Sequence, residues 1–135
     1  MVAAAQQGLF TRSQALGAGL TAKELEGGAR SGAWPRVHRG VYRMAGAPAT
    51  DLQRLLAAVL ACGPGALASH VAAAWVWEMA DSLALHVTRA GRGRPSGVLV
   101  HWTREEPRPV LRRGVPCTNP LRTVWTSPPW VTAAR

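Results

Sequence analysis

The apolar positions of the first 45 residues come in short bursts separated by glycines and helix-capping residues. Thr11 with Gln14, and Thr21 with Glu24, match the capping box, in which a hydroxyl caps an orphan backbone N–H and the residue three on reaches back. Between them LGAGL (16–20) offers Gly17 or Gly19 for the positive φ that ends one helix just before the next begins. Val2 to Gln7 supplies a preceding helix, so the spacing predicts three short helices with a helix-turn-helix in the second and third. After Ser31-Gly32 the pattern changes. In WPRVHRGVYRM (34–44), Trp34, Val37, Val41 and Tyr42 are strand formers, and Arg39-Gly40 reads as a tight turn. Helices followed by a basic hairpin make a winged helix-turn-helix, assigned here to residues 1–46.

AGAPAT (45–50) is a linker without periodicity, and Thr50 with Gln53 forms a third capping box. The helix it opens, Asp51 to Cys62, sets Leu52, Leu55, Leu56, Val59 and Leu60 on one wide apolar stripe, and Gly63-Pro64-Gly65 stops it. Ser69 reads as the cap of a helix from His70 to Met79 that carries Trp75 and Trp77. Leu83–Thr88 and Gly97–Thr103 read as strands joined by RAGRGRPS, with Val110–Val115 as a third. Asn119-Pro120 reads as an N-cap and first helical position, and Pro128-Pro129 stops that helix. The predicted fold is α+β. A winged helix-turn-helix is followed at 50–127 by a small α/β domain with a short, mostly antiparallel sheet, and 128–135 form an irregular tail.

Charge points to a polyanion. The chain has 135 residues with 16 Lys and Arg against 7 Asp and Glu, a formal charge of +9, and all but Lys23 of the cations are Arg. Residues 1–50 sum to +4, 51–90 to −1 and 91–135 to +6, which leaves a nearly neutral centre between basic ends. A base composition that favours Arg, Ala and Gly codons would give the same bias, so charge alone does not decide the partner.

Two cysteines, Cys62 and Cys117, are too few and too far apart for a zinc site or a disulfide framework, and both read as buried reduced thiols. The N-terminus lacks the basic lead and apolar run of a signal peptide, and no stretch approaches the length of a membrane span, so the expected compartment is the cytoplasm.

On the winged-helix reading the third helix enters the major groove and the wing follows the backbone. The candidate DNA-binding residues are Arg12 at the start of the second helix, Thr21, Lys23 and Arg30 on the third, and Arg36, His38, Arg39 and Arg43 on or beside the wing. Phosphate contacts from the wing fix register without reading sequence. Taken singly, each Arg is as well explained as a solvated surface charge; taken together, the wing favours DNA. The third helix carries only Lys23 and Arg30 as cations, and Gly27-Gly28 costs it roughly 1 kcal/mol per glycine relative to Ala.

Other chemistry is weakly signalled. Ser69-His70 pairs a nucleophile with a base, but neighbours in sequence seldom face each other, and Ser69 is better used as a cap. His86 and His101 fall on neighbouring predicted strands and meet across a hairpin. With no Cys, Asp or Glu at ligand spacing they read as half-buried structural histidines, so no metal and no cofactor is expected. Asp81, Glu105 and Glu106 lack the strand-borne spacing of nuclease carboxylates and read as solvated charges. Trp75, Trp77, Trp102 and Trp125 read as core or interface residues, with Trp102, beside His101 and Arg104, nearest to a base-stacking platform. No catalytic residue is assigned, and the chain is read as a non-enzyme.

RVHRGVY (36–42), LAAVLACGPGALASH (56–70), LHVTRAGRGR (85–94) and GVPCTNPLRTV (114–124), in this order and spacing, resemble the AbiEi-type antitoxins, which join a winged-helix N-terminal domain to a small α/β domain. The resemblance implies a transcriptional autorepressor and antitoxin of a type IV abortive-infection toxin-antitoxin system, active in phage defence. It also implies a nucleotidyltransferase-like toxin as partner and a homodimer on two DNA half-sites. Relatives continue past the LRT segment, so a shortened member is expected. The alternative from another class is a protein-interaction module whose 52/55/56/59/60 stripe stays partly exposed for a partner, without specific DNA binding.

Overall fold

The computed structural model describes residues 6–90, 94–104 and 108–126, which fold as α+β with five helices and two sheets. The chain divides into two compact units, Met1–Ala61 and Cys62–Arg135.

In the first unit the order is β1 (Leu9–Thr11), α1 (Arg12–Gly17), α2 (Ala22–Ser31), β2 (Arg36–His38), β3 (Val41–Arg43) and α3 (Asp51–Ala61). The three strands form an antiparallel sheet in the order β1-β3-β2, with Leu9 opposite Arg43 and His38 opposite Val41. Both capping boxes form as the sequence requires. Thr11 Oγ1 accepts from Gln14 N and Thr21 Oγ1 from Glu24 N, both at 3.1 Å, and each N3 side chain returns to the cap N–H. The Arg39-Gly40 turn also forms, with Gly40 at φ 78°.

Strand β1 is absent from the sequence expectation. A helix was predicted over Val2–Gln7, yet Gln6–Gly8 make a turn that leads into β1; residues 1–5 lie outside the described residues. Leu9 and Phe10 are both buried, and three residues are too few to show an alternation. Phe10 stacks on Tyr42 with ring centroids 5.6 Å apart and meets Trp34 edge-on at 6.3 Å, which builds a core with Ala15 and Leu25.

Helix α3, assigned from sequence to the second domain, packs on β1, β2 and β3 of the first unit. Its capping box is half made. Gln53 N donates to Thr50 Oγ1 at 3.0 Å, but the Gln53 amide, 5% exposed, turns away from the cap and donates to Gln7 O at 2.8 Å. A buried carbonyl without a partner costs more than an exposed cap, so the tertiary bond wins. Leu55, Leu56 and Val59 are buried, while Leu52 and Leu60 at the two ends of the stripe are half-buried.

The second unit holds β4 (Leu67–Ala68), α4 (His70–Val76), β5 (His86–Arg89), β6 (Leu99–Trp102), β7 (Val110–Arg112), β8 (Val115–Cys117) and α5 (Pro120–Thr126). Its five-stranded sheet runs β6-β5-β4-β8-β7 and is mixed, with β5/β6 and β4/β8 parallel and β4/β5 and β7/β8 antiparallel. Two sequence expectations change here. Val110–Val115 is two strands, because Arg113 (φ 55°) and Gly114 (φ 80°) both take the left-handed conformation of a type I′ hairpin turn. And β5 and β6 are not a hairpin but parallel neighbours. A four-residue strand spans only about 13 Å, and residues 90–98 reach roughly 30 Å when extended, enough to bring the chain back to its starting edge.

Asn119 caps α5 as expected, its Oδ1 accepting from Arg122 N at 2.8 Å. The predicted stop at Pro128-Pro129 and the tail lie outside the described residues. Cys62 and Cys117 are free and buried, and burial raises both thiol pKa values. Of the tryptophans read as core, Trp75 and Trp77 are half-buried, but Trp102 and Trp125 are 51% and 82% exposed.

Candidate nucleic-acid interface and a histidine cluster

Helix α2 owes its attitude to the residues facing inward. Leu25 is fully buried, Gly28 is buried, and the Trp34 indole lies against Gly28 so closely that a Cβ there would run into the ring. Trp34 Nε1 donates to Leu25 O at 2.9 Å, and Trp34 N donates to Gly28 O at 3.2 Å. The second glycine of the helix is therefore required for packing, while Gly27 has nothing near its missing Cβ.

With Leu25 and Gly28 inward, Lys23, Glu26, Gly27 and Arg30 fall at i, i+3, i+4 and i+7 and share the outer face, all four exposed. At the centre of that face Gly27 presents bare backbone between two cations. Arg30 reaches toward the wing: with Arg36, Glu26, Ala29 and Tyr42 it lines an open hollow of about 470 Å³.

The other expected residues are placed as follows. Thr21 is exposed, with its oxygen engaged by Glu24 N. Glu24, itself exposed, puts a carboxylate at the helix N-terminus, where it occupies the position that favours an anion. Arg39 is exposed in the turn of the wing. Arg12 is exposed, and its backbone N–H donates to Gly40 O at 2.9 Å, which ties the start of α1 to that turn. His38 is half-buried, and desolvation lowers its pKa, so at neutral pH it serves as a hydrogen-bonding group and not as a cation. Arg43 stands apart on the central strand, half-buried, with a buried Nε that has no hydrogen-bond partner among the described residues. The sequence reading missed Tyr42 and Glu26 in the hollow and the bare position of Gly27.

The second unit brings His86 and His101 together as the sequence expects, though on parallel strands and not across a hairpin, and adds His70 to them. His86 Nδ1 lies 2.9 Å from His101 Nε2, and the His70 ring stacks on His101 with centroids 3.7 Å apart. Burial, reinforced by the neighbouring His101, His86 and Arg122, pushes the His70 pKa down to about 4; burial also lowers those of His86 and His101. Ser69 and His70 do face each other, with Oγ and Nδ1 3.0 Å apart. The serine does not cap α4; its oxygen accepts from Thr88 Oγ1 at 2.7 Å. At 1% exposure that hydroxyl is out of reach of a substrate, so the pair forms part of an internal polar chain and not a nucleophile with its base.

No helix among the described residues is long and apolar enough to cross a membrane. Comparison with curated proteins finds no match to the chain. Residues 1–45 match the family described as transcriptional regulator, AbiEi antitoxin. The match ends where the wing ends, and the resembling segments between 56 and 124 lie beyond it. The first 45 of the 135 residues, the part that builds the winged sheet and its two helices, are thus similar to the AbiEi antitoxin transcriptional regulators.

Proposed function

We propose that this protein is a DNA-binding transcriptional regulator that represses its own operon and acts as the antitoxin of an abortive-infection toxin-antitoxin system, without enzymatic activity. The observation that carries the reading is the continuity of one basic surface. The exposed face of α2, where Lys23 and Arg30 flank the single carboxylate of Glu26, passes through the hollow lined by Glu26, Arg30 and Arg36 to the wing, and Arg12 is tied to the turn beside Arg39. In this reading α2 enters the major groove, where Gly27 admits close approach of the DNA and Lys23 and Arg30 meet base edges or phosphates. Arg36, Arg39 and Arg12 hold phosphates, Thr21 and His38 contribute neutral hydrogen bonds, and Arg43 supports the base of the wing.

Two molecules would occupy two half-sites of an operator, with a nucleotidyltransferase-like toxin as genetic or physical partner and the cytoplasm as compartment. The alternative, an interaction module working through the α3 stripe, has less to work with, because Leu55, Leu56 and Val59 are buried and only Leu52 and Leu60 are half-exposed. The test is titration of labelled duplexes. The gene's own upstream duplex should bind more tightly than an unrelated one, and equal affinity for both would remove operator recognition from the account.

A further inference from the structure

We infer that His70, His86 and His101 form a binding site for one divalent transition-metal ion, with zinc the best match, and with at least one coordination position left for water or an exogenous ligand. Three of the chain's four histidines meet there, from three different elements. His86 opens β5, His101 lies on the parallel neighbour β6, and His70 begins the helix after β4. Strand pairing fixes them: Thr88 is opposite His101, Ala68 is opposite Val87, and Ser69 N donates to His86 O at 3.1 Å. One ring nitrogen from each histidine lies within 4.8 Å of the other two. This site lies wholly within the second unit and does not depend on the winged helix.

Three half-buried imidazoles stack on one another, with a 2.9 Å contact between His86 Nδ1 and His101 Nε2 and a 3.0 Å contact between His70 Nδ1 and Ser69 Oγ. His70 also holds a backbone φ of 53°, a conformation that costs a residue with a Cβ roughly 1 kcal/mol or more. Such strain shows that the surroundings hold the His70 backbone in place.

The donor set names the class of ion. Three imidazole nitrogens, with no thiolate or carboxylate joining them among the described residues, exclude calcium and magnesium, which take oxygen. Zinc, cobalt, nickel and copper accept imidazole, and zinc with three histidines leaves one position open. Tetrahedral zinc with bonds of about 2.0–2.1 Å sets its ligand nitrogens about 3.4 Å apart. The 2.9 Å separation must therefore open slightly, and the widest one must close, by rotation of half-buried rings.

The polar chain behind His70 supplies the outer partner that metal-bound histidines use. If Ser69 Oγ, which already accepts the Thr88 hydroxyl, also accepts Nδ1–H of His70, the Nε2 lone pair is left to the ion. Between His86 and His101 the shared proton moves to the other nitrogen of whichever ring donates it. Both facing nitrogens then present lone pairs, and neutral rings lose no net proton.

The test uses the full chain, free of any purification tag and stripped with a chelator. Zinc chloride is titrated calorimetrically, and cobalt(II) is followed by its visible absorption. One equivalent of zinc should bind and raise the melting temperature, and cobalt should give an absorption band that zinc abolishes. His86→Ala and His101→Ala should each weaken binding at least about 30-fold, while His38→Ala leaves it unchanged. Where an alanine variant does not fold, the glutamine variants replace it, and imidazole 15N shifts of the unmodified chain must move for His70, His86 and His101 together on zinc addition. No saturable binding, or binding that survives both substitutions or falls equally in His38→Ala, overturns the site.

Discussion

Both units carry exposed arginines, but the second also gathers histidines against one another. In the first, Arg12, Lys23, Arg30, Arg36 and Arg39 stand outward in water, around a small core in which Phe10, Leu25 and Tyr42 are buried and Trp34 packs against them. In the second, His70, His86 and His101 turn toward one another and are half-buried. Outward cations cost little to keep and act at a distance, which suits a polyanion whose phosphates lie along an extended surface. Imidazoles that face each other give up hydration, which the His86–His101 and His70–Ser69 contacts return in part. The first arrangement suits the DNA-binding role proposed for it, and the second the metal ion inferred for it.

The largest effect is expected from removing what holds the outward face of the first unit in place. Trp34→Ala should lower stability by about 3 kcal/mol in urea denaturation, and Gly28→Val by about 2–3 kcal/mol through collision with the indole. Both should also abolish duplex binding, while zinc uptake by the second unit persists. Loss of zinc binding in Trp34→Ala would show that the two sites are not separable.

Next in size is the wing. Arg36→Ala with Arg39→Ala should cost roughly 30-fold in duplex affinity at low salt and flatten the salt dependence by about two phosphate contacts. Anisotropy titration at two ionic strengths reads both quantities, and an unchanged slope would take the wing out of the interface.

Gln53→Ala should destabilise by about 1–2 kcal/mol, because it strands the Gln7 carbonyl. If the loss were no larger than for an exposed cap, α3 would not be anchored through that bond. Gly27→Ala is expected to act in the other direction. It should stabilise the protein by up to about 1 kcal/mol, since nothing stands near the added methyl. The same variant should weaken binding to the upstream duplex if the bare backbone is approached closely, so a rise in melting temperature with unchanged affinity would move the DNA away from the centre of α2.

The smallest effect is one of pH in the presence of chelator. His70 is held neutral in the folded chain, with its pKa lowered from 6.5 to about 4 by burial and by His101, His86 and Arg122. The unfolded chain therefore takes up this proton first, so the stability it contributes is full above 6.5 and is lost as pH falls from 6.5 toward 4. Denaturation midpoints at both ends of that window, compared with His70→Asn, should show a shallower acid loss in the variant.

The same contrast decides how much could be read from the sequence. Capping boxes at Thr11 and Thr21, the turn at Arg39-Gly40 and the cap at Asn119 depend on residues within four of one another, and all form where the spacing put them. What depended on partners far along the chain was hidden. Gln53 leaves its cap for a carbonyl 46 residues earlier, and Leu9–Thr11 becomes a strand only because β3 passes beside it. His70 joins His86 and His101 because β4 pairs with β5 and β5 runs parallel to β6, a topology that no local pattern carries. Some local features are visible but carry the opposite weight: Gly28 beside Trp34 reads as a cost to the helix and is a contact, and Ser69 reads as a cap and instead accepts from Thr88.

The central claim is that the face made by α2 and the wing binds duplex DNA, and the most direct measurement is the salt dependence of that binding. If five exposed cations each displace one counterion per protomer, the slope of log K against log salt is about −4.5, or roughly 500-fold in affinity between 50 and 200 mM. The account predicts a slope near that value on the upstream duplex, with tighter binding there than on an unrelated duplex. A slope near zero, or no binding at the lower salt, would contradict it.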